Sequence, residues 1–400
     1  MTTTVCTIIT KLELGGAQEV ALFTAANLDR TQVRPILITG EPGLLDKEAR
    51  TLEGVAFYQV PSLARPIRPW RDLRALISLT VLLKRLKPAI VHTHSSKAGI
   101  LGRWAAWLAR VPIIIHTIHG YGITPNQPWW LRYLLIGVER LTGLITTQWV
   151  AVSQADLDRG LHWGLFRRSN VIVIRPGVDV RAFQTPPLPA PERDRLRAEW
   201  SVGPEHMLVG TVAPLKPQKA PHDFVAVAVR VCAHVPSARF VWVGDGELRG
   251  SVEAHIRSVK LEDRVRIVGW RRDVPAVMHA LDAFLLTSHW EGLARVLLEA
   301  RAARVPIVAT RVGGAAEAIV EGRHGWLCDG GDIESLADRL CETLKTRGDG
   351  APSRDGGDLP DEFEIHEMAR QYQQLYDKLL ADLSKRHLTR KPADLVRRAQ

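Results

Sequence analysis

The run Ala283-Phe284-Leu285-Leu286-Thr287-Ser288-His289-Trp290-Glu291-Gly292-Leu293, continuing to Leu298-Glu299-Ala300, decides the architecture. Its apolar opening reads as a buried strand ending at Ser288. From Leu293 to Ala303 the residues are mostly strong helix formers without proline, which predicts a helix. A strand therefore turns directly into a helix, with Gly292 where the backbone must approach something closely. The first N–H groups of such a helix lack intrahelical partners and form a ready anion site. Glu291 and Glu299 stand eight positions apart, roughly 12 Å and a little over two turns if both lie on that helix. That span reaches from a sugar across a diphosphate to a ribose, so one carboxylate would take sugar hydroxyls and the other the ribose diol. An ordinary helix carrying two acids is the bland alternative. The recurrence of strand, glycine turn and helix elsewhere in the chain favours the functional reading.

The chain has 400 residues, too many for one common core and suited to two domains. Its hydrophobic content of 46% is ordinary for a globular protein, and it has no run of eighteen apolar residues. Met1-Thr2-Thr3-Thr4 shows no charged n-region, so neither a spanning segment nor an export signal is expected. Cys6, Cys232, Cys328 and Cys341 are widely spaced, which disfavours disulfides and zinc and makes a reducing cytoplasm the expected setting. The formal net charge is +10. It suits nucleic acid, an anionic membrane surface or anionic small substrates. Without zinc-finger spacing or an RNA-binding aromatic signature, nucleic acid is the weakest of the three. Twelve tryptophans give weight to a peripheral place at the inner membrane face, because tryptophan with arginine or lysine suits a headgroup interface.

Along the chain, Thr3–Thr10 reads as a strand, followed by Gly15-Gly16-Ala17-Gln18 and a helix, the opening unit of a doubly wound sheet. A helix from Trp70 to Leu86 stops at Lys87-Pro88. Ala89-Ile-Val-His92-Thr-His94 then feeds a Ser95-Ser96-Lys97 corner, hydroxyls and a cation beside a helix start that would suit a phosphate. The next strand ends at His119-Gly120, where such sheets place their ligands. Pro128-Trp129-Trp130-Leu-Arg132-Tyr133 begins a helix that is either a core element or a bilayer contact. Ser153-Gln-Ala-Asp156 reads as a capping box, and Asp156 and Asp158 point to different sides of a helix, so no metal site is expected there. Residues 1–182 form the expected first domain and 183–205 a proline-rich linker. Residues 206–347 form the second domain, followed by a loop at 348–360, a helix at 361–384 and a basic tail at 385–400.

The second half carries Gly210 to Lys219, Val243-Gly244-Asp245-Gly246-Glu247, the Glu291-to-Glu299 stretch and Val308 to Glu317 in succession. With Gly15-Gly16, His92-Thr-His94 and His119-Gly120, this resembles glycosyltransferase family 4 over nearly the whole chain to about Leu340. Those enzymes are retaining nucleotide-sugar transferases of the GT-B fold. The resemblance implies two Rossmann-like α/β domains facing a central cleft and no metal or other cofactor. The donor would be a nucleoside diphosphate-sugar, UDP or GDP being the usual bases. The acceptor would be a glycan or lipid-linked precursor of a cell-surface polysaccharide or lipopolysaccharide. Catalytic roles fall to His119, beside the reacting sugar, to Lys219, against the departing diphosphate, and to Glu291, on sugar hydroxyls. Glu299 would hold the ribose, and Gly292 and Leu293 would offer amides to the diphosphate. Gly15, Gly16, Lys216, Gly244 and Gly246 would complete the donor site, and His94, Ser95 and Lys97 the acceptor side. Two positions depart from the pattern. Pro214 stands where an arginine is usual, with Lys216 two places on, and Pro176 replaces a common asparagine.

Three rival readings compete. A dehydrogenase is suggested by Gly244-x-Gly246, but the third glycine, Gly250, comes one place late and no acid follows the next strand. A nucleotide-sugar epimerase or phosphorylase would not need the paired glutamates. A catalytically weakened binding protein of the same fold would tolerate Pro214.

Overall fold

The structure, a computed structural model, describes residues 2–124, 127–184, 189–346 and 359–396, with side chains to 385. It divides into two compact units: the described residues of Met1–Val152, Leu157–Arg175 and His366–Gln400, and those of Ser153–Asp156 with Pro176–Ile365. The first half of the chain runs β1 (Thr3–Ile9), α1 (Gly16–Asn27), β2 (Val33–Thr39), α2 (Asp46–Thr51), β3 (Ala56–Gln59) and α3 (Pro69–Leu86). It continues through β4 (Ile90–His94), α4 (Ser96–Leu108), β5 (Ile113–Ile118), α5 (Trp129–Gly143), β6 (Gln148–Ala151), α6 (Gln154–His162) and β7 (Val171–Val173). The second half opens with α7 (Val180–Gln184), α8 (Ala190–Glu199), β8 (Met207–Val212), α9 (Pro221–His234), β9 (Ala238–Val243) and α10 (Arg249–Ser258). Then come β10 (Val265–Gly269), α11 (Val274–Ala280), β11 (Ala283–Leu286), α12 (Arg295–Ala302), β12 (Ile307–Thr310) and α13 (Ala315–Ala318). The chain closes with β13 (Gly325–Cys328), α14 (Ile333–Lys345) and α15 (Ile365–Val396).

Both sheets are wholly parallel, ordered β3-β2-β1-β4-β5-β6-β7 and β10-β9-β8-β11-β12-β13. Parallel strands covered on both faces are buried almost throughout, as β1, β5 and β11 are, and β11 is wholly apolar. In the second unit Trp242 fills the core edge-on to Phe224, ring centroids 5.1 Å apart, and donates its indole N–H to the Ala213 carbonyl at 2.8 Å. The strand order reverses between β1 and β4 in one sheet and between β8 and β11 in the other. Loops leaving neighbouring strands at such a reversal diverge, opening a crevice at the strands' carboxyl ends.

Local structure departs from expectation at several places. Helix α12 begins only at Arg295, so Glu291 is not on the helix that carries Glu299. The reason is a competing hydrogen bond: Gly292 offers its carbonyl to the Gly314 amide at 2.6 Å, and Ala294 is extended. The expected two-turn helical spacing therefore does not describe this pair. Similarly, the expected helix at 361–384 is a 3-10 turn at Asp361–Phe363 followed by α15, which runs on through the expected tail to Val396. The expected loop at 348–360 lies outside the described residues up to 358, as do 185–188 of the linker. The remainder of the linker is not loose: α8 is fixed by Arg197, which donates to Asp282 Oδ2 at 3.1 Å and to the His206 carbonyl at 2.6 Å.

Two segments that lead toward the first unit run side by side within the second. Val178 donates its amide to the Phe363 carbonyl at 2.9 Å, and its own carbonyl accepts the Ile365 amide at 3.1 Å. A Cβ on Gly177 would lie 2.4 Å from the Ile365 Cα, a backbone atom that cannot swing aside. Gly177→Ala should therefore destabilise the fold by about 1–3 kcal/mol through overpacking. Urea titration of the variant checks this, and an unchanged midpoint would show that the paired segments yield freely.

Candidate active site

At the β8/β11 reversal the loop after β8 forms a 3-10 turn, Pro217–Lys219, and Ala220 follows in the left-handed region at φ 45°. The loop after β11 is tied onto it. Thr287 Oγ1 donates to the carbonyl of Lys219 or Ala220, each 3.1 Å away, and the His289 amide donates to Gln218 O at 2.8 Å. This lacing brings Lys219 Nζ to 2.5 Å from Glu291 Oε1. The other carboxylate oxygen accepts from Gln218 Nε2 at 3.2 Å, and the same amide reaches the Trp290 carbonyl at 2.9 Å. Glu291 is only 7% exposed. A compensating cation and an amide are what its charge requires at that depth. Gln218 has no visible signal in the sequence beyond its place between Pro217 and Lys219.

The turn after β12 supports the same loop. Gly313 has φ 52°, and a Cβ there would lie 2.3 Å from the Glu291 carbonyl oxygen. Only glycine lets the two backbones touch in this way. Among the described residues no protein acceptor takes the Gly292 or Leu293 amide. Glu299, also buried, lies on α12 with Arg295 Nη2 3.9 Å from its carboxylate, while Arg295 Nε donates to the Gly177 carbonyl at 3.0 Å. Glu317 accepts the Gln154 amide at 2.8 Å, at the start of α6, and Ser153 Oγ accepts the Asp156 amide at 3.0 Å as the capping motif predicts. Gly244 and Gly246 have a local reason to be glycine. Added Cβ atoms would lie 2.0 Å from the Ala213 oxygen and 2.5 Å from the Leu215 oxygen. Lys216 is half-buried, its amide 2.9 Å from the Pro214 carbonyl.

In the first unit the β1/β4 reversal gathers a different chemistry. Ser95 stands at φ 65°, ψ 152°. Glycine alone visits that region cheaply. The Ser95 Oγ lies 2.8 Å from Thr10 Oγ1 at the end of β1. Gly15 precedes α1, its carbonyl accepting the Gln18 and Glu19 amides, and Gly16 opens the helix exposed. His94 Nδ1 is 2.9 Å from His119 Nε2, so these two predicted residues meet directly. Behind them the His92 ring lies 4.3 Å from that of His94 and is held at 2.6 Å by Tyr376 of α15 and at 2.7 Å by Thr117. Lys97 is not brought to this cluster. Its ammonium is 2.5 Å from Asp72 of α3 and also donates to the Pro66 carbonyl. A phosphate role for Lys97 would have to displace that pair.

Burial sets the state of the histidines. It lowers His119 from 6.5 to about 4 and His92 to about 3, and depresses His94 and His116 strongly, with neighbouring imidazoles adding to the effect on His92 and His94, and Arg103 followed by imidazoles to that on His116. At neutral pH these rings are uncharged, so His119 offers a neutral donor or acceptor and no cation.

Two family models match the chain in succession: Glycosyltransferase Family 4 over residues 14–182 and Glycosyl transferases group 1 over residues 204–346. An Escherichia coli relative, UDP-Gal:alpha-D-GlcNAc-diphosphoundecaprenol alpha-1,3-galactosyltransferase, is 33% identical over 331 residues, 82% of this chain and 84% of the relative. The chain belongs to glycosyltransferase family 4. The capsular polysaccharide glycosyltransferase CapM of Staphylococcus aureus is 22% identical over 74% of this chain and 77% of its own length. Among solved structures, Anabaena HepE in complex with UDP and glucose aligns with a TM-score of 0.79 at 20% identity, covering 94% of this chain and all of that one. WaaG, from lipopolysaccharide biosynthesis, aligns with a TM-score of 0.74 at 17% identity over 93% of this chain and 99% of that one. The two parallel sheets are thus those of the GT-B fold.

The buried histidines of this family 4 glycosyltransferase carry a pH signature. Between about pH 4 and 6.5 the unfolded chain binds more protons than the folded one, so stability is complete above 6.5 and falls as pH drops. Each histidine contributes up to about 1.4 kcal/mol per pH unit inside that window. The melting temperature should fall steadily from pH 7 to pH 5, measured by circular dichroism. A flat profile would mean the cluster is hydrated.

Proposed function

We propose that this glycosyltransferase moves a sugar from a nucleoside diphosphate-sugar to a lipid-linked or cell-surface glycan precursor, with retention at the anomeric carbon and without a metal ion. The observation that carries this reading is the Lys219–Glu291 pair at 2.5 Å, set at a strand reversal beside the Gly292 and Leu293 amides. An ammonium and free amides suit a diphosphate, and a buried carboxylate suits sugar hydroxyls.

In this reading the bond between the anomeric carbon and the diphosphate oxygen breaks, and its electron pair leaves with the diphosphate. Lys219 stabilises that growing charge, the electrostatic task that dominates such a reaction. The acceptor hydroxyl oxygen bonds to the anomeric carbon, and its proton passes to the departing diphosphate. Glu291, fixed by Gln218, orients the sugar, and the neutral His119 imidazole, itself oriented by His94, is assigned to the same sugar. Glu299 is assigned to the ribose, where its carboxylate would accept both hydroxyls.

Relatives support a uridine donor. The Escherichia coli enzyme is named for UDP-galactose and a diphosphoundecaprenol-linked acceptor, and HepE has been solved with UDP and with UDP-glucose. The site residues themselves read charge and hydroxyls, not the base.

A thermal-shift screen against UDP, GDP, ADP and CDP with their common sugar conjugates tests the donor, because a ligand that binds only the native state raises the melting temperature. UDP or its sugars should give the largest shift, and Glu299→Ala should weaken that binding by about 1.5–3 kcal/mol. Equal nucleotide affinity in the variant would remove Glu299 from the ribose. For catalysis, transfer assayed in EDTA should proceed in the native enzyme and fall by at least about a hundredfold in Lys219→Ala. Undiminished turnover in that variant, or none in the native enzyme with EDTA, would overturn the electrostatic account.

A further inference from the structure

We propose that Tyr376, on α15, is a positioning residue for sugar transfer, acting on His119 through His92 and His94. The inference rests on the assignment of His119 to the reacting sugar.

Strands β4 and β5 are parallel neighbours, with His92 opposite Ile115 and His94 opposite Thr117. Alternate residues of a strand share one face. His92, His94 and Thr117 therefore lie on one face of the sheet, and His119 extends it past the end of β5. Thr93 and His116, bonded to each other at 2.9 Å, take the opposite face under Gly99 of α4. Helix α15 lies over the first face, with Tyr372 Oη 3.3 Å from Thr117 Oγ1. Burial falls along that face toward the strand ends. Tyr376 and His92 have no exposed surface, His94 has 1%, and His119 is half-buried. Of these four, His119 alone is open enough to meet a substrate. The other three can only hold it.

The contacts have no slack until they reach His119. Tyr376 Oη lies 2.6 Å from His92 Nδ1, and His92 Nε2 lies 2.7 Å from Thr117 Oγ1. Both ring nitrogens of His92 are thereby satisfied, and its plane is fixed from two sides. A phenol is a stronger donor than an aliphatic hydroxyl, so Tyr376 donates to Nδ1 and the His92 proton sits on Nε2, facing Thr117. The His94 ring lies against this fixed ring, centroids 4.3 Å and planes 36° apart. Apart from its 2.9 Å contact with His119 Nε2, the His94 side chain forms no hydrogen bond among the described residues. Packing against His92 therefore sets the plane of His94 and, with it, the direction of the bond to His119. Without the Tyr376 hydroxyl, His92 Nδ1 would be buried and unpaired, and the ring would be free to exchange tautomers and tilt. That tilt passes to His94 by contact and to His119 by hydrogen bond. Burial keeps the three rings and the Tyr376 phenol neutral at neutral pH, so what is transmitted is orientation, not charge.

Two measurements on the full-length protein test this. With ¹⁵N-labelled histidine, imidazole spectra at neutral pH should show His92 and His119 each in one neutral tautomer, assigned through His92→Gln and His119→Gln. In Tyr376→Phe the His119 signals should shift or broaden, although no hydrogen bond or ring contact joins Tyr376 to His119. Unmoved His119 signals in that variant would overturn the proposal, whatever the circular-dichroism melting curve does, because a merely structural tyrosine would change only the melting. Turnover is read as UDP release from UDP-galactose and UDP-glucose with water as acceptor, per folded molecule. Tyr376→Phe should lower kcat about ten- to hundredfold with the donor KM unchanged, as misorientation of a group at the reacting centre predicts. His119→Ala should lose at least as much, and adding Tyr376→Phe to it should cost nothing more. Losses that multiply in the double variant would overturn the proposal, since Tyr376 would then act by another route. Native turnover in His119→Ala would overturn the role of His119 and the proposal with it, while the spectra still report whether Tyr376 holds the ring.

Discussion

A wholly parallel sheet sends every strand to the same edge, and its crossover helices must cover both faces. That constraint shapes everything else in this enzyme. Where the strand order reverses, two loops leave neighbouring strands in opposite directions and no crossover covers the gap. Each sheet has one such reversal, and each reversal gathers polar side chains of its unit. Thr10 meets Ser95 at one, and Lys219 meets Glu291 at the other. Chemistry is placed by topology before it is chosen by side chain.

The two reversals solve the problem of buried polarity differently. In the second unit, charge is retained and compensated. A carboxylate of low exposure is matched by an ammonium and an amide, and the loops bearing them are stitched by Thr287 and Gly313. In the first unit, charge is removed. Four histidines are held neutral by burial: His92 bonds to Tyr376 and, through Thr117, to Tyr372, His94 bonds to His119, and His116 to Thr93. Such networks are rigid when every member is satisfied, and a rigid neutral imidazole suits a group that orients a substrate.

How much of this can be read from the chain alone depends on the range of the interaction. The alternating units and the acids and histidines at strand ends are local patterns, and so Glu291 and His119 follow the ends of β11 and β5, and Glu299 lies on a helix as expected, whereas Lys219, implied by the resemblance, lies on a 3-10 turn. Contacts between distant segments are not legible. Nothing near Gln218 says that it will steady a residue seventy-odd positions on, and nothing near Lys97 announces Asp72. The helical form expected of Glu291 fails for the same reason, since the hydrogen bond that keeps it off α12 comes from Gly314. Gly244 and Gly246 are visible as glycines, but the carbonyls that demand them belong to another loop.

Helix α15 belongs by its contacts to the first unit, although nearly the whole second unit precedes it in the chain. Its tyrosines finish the histidine network that β4 and β5 begin. On a ribosome adding about 5–20 residues per second, the first unit's strands emerge well before the helix that completes them. During that interval His92 lacks its tyrosine partner and the floor of the histidine cluster is open to water. The first domain to be synthesised is therefore the last to be finished, and the integrity of the histidine cluster reports that the chain has been made through α15.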